Sequence, residues 1–128
     1  DILSIQALTY VGKERVRRTR TIAEIDGIDQ RTGDLDYSTT FSWNADGDSF
    51  RKRDSNVLDD IQDSHGWSRS ELLSELRDRK LVLQYLREND VTDYRRFTAM
   101  VNEYYADPDT VVERASDDVE TDVPGFSK

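Results

Sequence analysis

The sequence predicts an α+β protein, a small and mainly antiparallel sheet of about four strands followed by a three- to four-helix subdomain. Three observations carry this. Apolar and polar residues alternate at a period near two in the first part of the chain, and from Ser55 that period changes to about 3.6. The strand-like runs are joined by stretches short enough to demand tight reversals. The chain therefore divides into a β part at 1–54, a helical subdomain at 55–115 and an acidic segment at 116–128. That last segment is poor in apolar groups and contains Pro124 and Gly125, which predicts a disordered or linker tail.

Taken in order, Ile2 to Leu8 is a first strand whose mostly apolar content predicts burial on both faces. Gly12-Lys13-Glu14 turns into a long strand from Arg15 to Ile28, flanked by apolar segments and so expected at the centre of the sheet. Asp29 to Asp34 has the glycine and polar content of a second reversal. Strict alternation then puts Tyr37, Thr39, Phe41 and Trp43 on one face, which needs a covering layer. Asn44 to Asp48 turns the chain back through Phe50.

Ser55 is placed to cap a first helix carrying Val57, Leu58 and Ile61, with Gly66 at its stop. Ser68 and Glu71 have capping-box spacing ahead of Leu72, Leu76, Leu83 and Leu86, the strongest helical pattern in the chain. Thr92 or Asp93 caps a third helix through Tyr94, Phe97, Val101 and Tyr104. Asp107 and Pro108 open a short last helix through Val111 and Val112.

Composition sets limits. The 128 residues include no cysteine, which excludes disulfides and thiolate-held zinc, and no apolar run of about 18 residues spans a bilayer. Net charge is −9, with 14 arginines to 4 lysines and 19 aspartates to 8 glutamates. A surface of short, strongly hydrated carboxylates suits a halophile, where a Debye length of roughly 3 Å at molar salt removes long-range repulsion. The same balance disfavours nucleic acid as a partner. An apolar strand begins at once after Asp1, as expected of a piece of a larger protein.

Little of the chain reads as a reaction centre. Gly12-Lys13 lacks the first glycine and the Ser or Thr of a phosphate-binding loop, His65 is the only histidine, and Asn44, Asp46 and Asp48 lack the glycine and glutamate of a calcium loop. No metal site is expected. The arginine cluster is the remaining candidate, with Arg15 and Arg17 expected on one strand face and Arg18 and Arg20 on the other. Guanidinium forks suit phosphate or carboxylate, including charge on a neighbouring subunit's nucleotide. The competing role is local pairing with the aspartates at 34, 36, 46 and 48.

Several stretches resemble a known family. Asp1-Ile2-Leu3-Ser4-Ile5-Gln6, Lys13-Glu14-Arg15-Val16-Arg17-Arg18 running into Ala23-Glu24-Ile25, Thr40-Phe41-Ser42-Trp43-Asn44, Gly66-Trp67-Ser68, Arg79-Lys80 and Asp93-Tyr94-Arg95 together resemble the C-terminal end of archaeal type II/IV secretion-system ATPases, the motors of archaella and type IV pili. The resemblance covers about residues 1 to 112, and the composition is similar to that of haloarchaeal proteins. It implies the last strands of a RecA-like ATPase core followed by a helical subdomain, with every catalytic element preceding Asp1. Glu24 matches the acidic position of the equivalent strand, although the arginines stand further from it than in bacterial relatives. Implied partners are the rest of the parent chain, sibling subunits of a hexamer and a polytopic membrane platform protein, in the cytoplasm at the membrane. ATP and Mg belong to the parent family, with no cofactor in this segment. Arg15, Arg17, Arg18, Arg20 and Glu24 are the implied nucleotide- or interface-facing residues. The alternative is a free-standing acidic interaction or regulatory module with a helix-turn-helix-like element at Ser68 to Asn89.

Overall fold

A computed structural model describes residues 1–119 and gives the α+β arrangement directly. Among these residues the order is β1 (Ile2–Val11), β2 (Glu14–Ile28), β3 (Leu35–Asn44), β4 (Ser49–Lys52), α1 (Asn56–His65), α2 (Arg69–Glu88), α3 (Tyr94–Ala106) and α4 (Pro108–Val119). Two compact units result, Asp1–Gly66 and Trp67–Lys128, so α1 groups with the sheet. No helix among the described residues is long and apolar enough to cross a membrane.

The sheet is a meander in the order β1-β2-β3-β4, antiparallel throughout. β2 lies between β1 and β3, as its flanking apolar segments predict. β1 departs from expectation. It is an edge strand rather than one buried on both faces, and Ile2, Leu3, Ile5 and Leu8 are 59%, 45%, 47% and 51% exposed. Its apolar content signalled burial, but within the described sheet it has a neighbour on one side only.

Extra residues interrupt the alternation. Ile22 pairs with Phe41 but Ala23 pairs with Thr39, leaving Thr40 as an added residue. Consecutive residues on β2 face opposite ways, so their partners do too. Phe41 and Thr39 therefore lie on opposite faces, which corrects the single face expected for Tyr37, Thr39, Phe41 and Trp43. Thr40, only 2% exposed, turns inward at this bulge.

The helix signals are realised as hydrogen bonds. Ser55 accepts from the Leu58 N–H at 3.0 Å, and Gly66 ends α1 at a φ of +64°. Ser68 and Glu71 exchange both bonds of a capping box at 3.2 and 2.7 Å. Asp93, rather than Thr92, caps α3 through Arg96 at 2.9 Å. In the helical unit Val82, Leu86, Met100, Tyr104 and Val111 form the core, with Tyr85, Val91 and Val112 against it. α4 continues to Val119, four residues into the segment expected to be a tail, and seats Ala115 at 0% exposure. The remainder of that segment, 120–128, lies outside the described residues.

Candidate functional site

The arginine strand and the β3–β4 turn meet at one ion pair. Arg18 donates from Nε and Nη2 to the two carboxylate oxygens of Asp48, at 2.9 and 2.7 Å, and its Nη1 donates to the Arg17 carbonyl at 3.0 Å. This is the bidentate fork that a planar guanidinium makes best. Trp43 adds an indole N–H to the same carboxylate at 2.7 Å. The turn is built to present Asp48: Asn44 accepts the Asp46 N–H at 3.1 Å, Gly47 adopts a φ of +91°, and Asp48 itself sits at +46°. Aspartate is one of the few side chains that tolerate that region. The hydrogen bond from Arg18, with that from Trp43 behind it, holds the Asp48 carboxyl down at about 2. Arg18 is thereby fixed as a structural tie between β2 and the turn.

The other three arginines are differently placed. Arg15, Arg17 and Arg20 are exposed, and no ion pair or side-chain hydrogen bond holds them among the described residues. Arg20 is also taken out of the alternation. Gln6 pairs with Thr19 and Ile5 with Thr21, so Arg20 is the additional residue of a β-bulge. Bulges redirect a side chain and increase local twist. Arg20 therefore does not simply share a face with Val16 and Arg18 as strict alternation predicts.

Glu24 does not join the arginines by any hydrogen bond. It is 4% exposed and accepts from the Thr40 hydroxyl at 2.8 Å, from the Ser55 hydroxyl, and from the Val57 N–H at 3.0 Å. Burial alone would push its carboxyl up. The bonds from Ser55, Val57, Thr40 and the Asn56 backbone outweigh that and hold it below its ordinary value. This buried anion is stabilised by the N-terminus of α1 and two hydroxyls. Glu24 is the joint that fastens α1 to the sheet.

The helical unit carries a second feature. Tyr104 donates its hydroxyl to Glu75 at 2.9 Å, and Arg79 donates to the same oxygen at 2.7 Å. The Arg79 guanidinium also lies 5.9 and 5.7 Å from the ring centres of Tyr104 and Tyr105. Burial, with the bond to Glu75 added, pushes the Tyr104 phenol up to about 12. Beside this cluster is an open groove of about 180 Å³ with Val82, Leu83, Leu86 and Val101 in its wall. It offers apolar contact and an aromatic rim.

Sequence reasoning named the arginines and Glu24 as candidates, and it included Asp48 among several possible counter-ions. It missed the part of Trp43 and Thr40, whose polar contacts depend on a turn and a bulge. Among the described residues no cluster of three or more His, Cys, Asp or Glu could hold a metal ion. No curated protein matches the chain. Residues 46–125, which begin inside the Asp48 turn and run through the helices, match the protein family described as PilB3-like, C-terminal.

Proposed function

Because the chain belongs to the PilB3-like C-terminal family, we propose that it is the C-terminal part of a type II/IV secretion-system motor ATPase that drives assembly of a type IV pilus or archaellum. The observation that carries this reading is the junction at Asp48. It ties the first residues of the family-matched region to the arginine strand through a two-pronged ion pair, which supports reading that strand together with them. In this reading the sheet supplies the last strands of a RecA-like core. Arg15, Arg17 and Arg20 face nucleotide or a sibling subunit of a hexamer, while Arg18 and Glu24 hold the strand and α1 in place.

ATP and Mg are the cofactors of the parent family, but the residues present do not make a full site for them. The sequence lacks a phosphate-binding loop, and the described residues lack a metal-holding cluster. In this reading the phosphates and the metal are held by residues outside this segment. On the same reading the exposed groove beside Arg79 and Tyr105 receives a sibling subunit or a polytopic membrane platform protein, and the machine works at the cytoplasmic face of a membrane. The aspartate-rich surface fits a haloarchaeal cytoplasm.

The test is twofold. The reading frame should continue upstream of Asp1 into a phosphate-binding loop, and the complete polypeptide should hydrolyse ATP while the 128-residue chain does not. Replacing Arg15, Arg17 and Arg20 together by alanine in the complete polypeptide should lower kcat by about tenfold or more. A frame without that loop would favour the free-standing interaction module instead. Turnover by the 128-residue chain alone would contradict the proposal.

A further inference from the structure

The β3–β4 hairpin carries an open cavity of about 620 Å³, a volume within the range of small-molecule sites. Cross-strand pairing builds its wall. Ser42 stands opposite Arg51 and Asn44 opposite Ser49, and partners across an antiparallel pair share a face. Arg53 joins them. Its N–H donates to the Thr40 carbonyl at 2.8 Å, which carries the pairing one residue past β4 and keeps Arg53 on the same side as Arg51, two positions before it. Trp43, held by its indole bond to Asp48, and the half-exposed Phe50 complete the lining.

The polar side chains of this wall are hydrogen-bond donors. The guanidinium groups of Arg51 and Arg53 have no ion pair and no side-chain hydrogen bond among the described residues. Asn44 spends its carbonyl oxygen on the Asp46 N–H, which leaves its NH2 group as a donor, and Ser42 and Ser49 add two hydroxyls. Among the described residues no carboxylate lines the cavity, in a chain with 27 acidic side chains. Asp48, next to Ser49, is already taken by Arg18 and Trp43, and Asp54, next to Arg53, is not part of the wall.

We propose that this cavity binds a phosphoryl group, either that of a small phosphate or that of a phospholipid headgroup. Two guanidinium forks, two hydroxyls and an amide present more donors than the two oxygens of one carboxylate can satisfy. A phosphoryl group offers three acceptor oxygens and up to two charges, and guanidinium matches its geometry bidentately. Arg15, Arg17 and Arg20 do not line the cavity, so the site is separate from the arginines of β2 and stands or falls independently of the ATPase reading.

The test is a titration of the 128-residue chain with inorganic phosphate at fixed ionic strength, followed by nuclear magnetic resonance. The Nε–H resonances of Arg51 and Arg53, the Asn44 side-chain amide and the Trp43 indole N–H should move together and saturate, while acetate moves none of them. Arg51→Gln with Arg53→Gln should weaken phosphate binding at least tenfold and leave the melting temperature nearly unchanged, because both residues are exposed. Vesicles of phosphatidylcholine with and without phosphatidic acid distinguish the two sources. Retention by the phosphatidic acid vesicles alone, lost in the double variant, assigns the site to a lipid headgroup; saturation by phosphate without such retention assigns it to a small phosphate. Equal shifts with acetate, an undiminished phosphate response in the double variant, or no response to either phosphate or vesicles would each overturn the proposal.

Discussion

Glu24 shows what one side chain can do when a sheet and a helix start meet. Its carboxylate satisfies two hydroxyls and a helix N–H in a site 4% exposed to solvent. Glu24→Ala should cost about 2–3 kcal/mol in urea unfolding, because three donors lose their acceptor at once. Its pH dependence has a definite sign. The folded pKa lies below the ordinary 4.5, so its stabilisation is complete above that value and is lost as pH falls through the folded pKa. Glu24→Gln should flatten that part of the stability profile. Asp48 behaves similarly at a more exposed position. The indole N–H resonance of Trp43 should shift with a midpoint near pH 2, where Asp48 titrates, and not near the ordinary 3.8. Neither role could be read from the sequence. Glu24 is one acid on a strand and Asp48 one of several turn aspartates, and each has a partner 30 or more positions away along the chain, Arg18 for Asp48 and Ser55 for Glu24.

At the level of elements, local rules went further. Ser55, Ser68, Asp93 and Gly66 stand where capping chemistry puts them, because a cap depends on three or four consecutive residues. Ser68→Ala should lower stability by about 1 kcal/mol, seen as a smaller unfolding free energy of the helical unit. Leu86→Ala, at 3% exposure in the core of that unit, should cost about 2–5 kcal/mol by the same measurement. The strands were legible as elements but not in their facing. A bulge needs the partner strand's register to be seen, and the added residues at Arg20 and Thr40 reverse the alternation that period-two reasoning assumes. β1 illustrates the other limit, since its residues report the environment of an interior strand while the described sheet leaves it at the margin.

For the whole molecule, charge is the dominant quantity. With 27 acidic against 18 basic side chains the folded chain repels itself, and added salt should relieve that repulsion. Raising KCl from about 0.1 M to about 2 M should increase the melting temperature by about 5 °C or more, measured by circular dichroism. A fall over the same range would show that specific ion pairs such as Arg18–Asp48 outweigh the general repulsion. The unlike margins of the sheet bear on how the molecule can fail. Fibre growth needs two sticky sides per molecule, one to receive and one to pass on. Here Arg51 and Lys52 stand on the β4 edge, so among the described strands β1 alone offers an uncharged margin, and edge-to-edge association through it should stop at a pair.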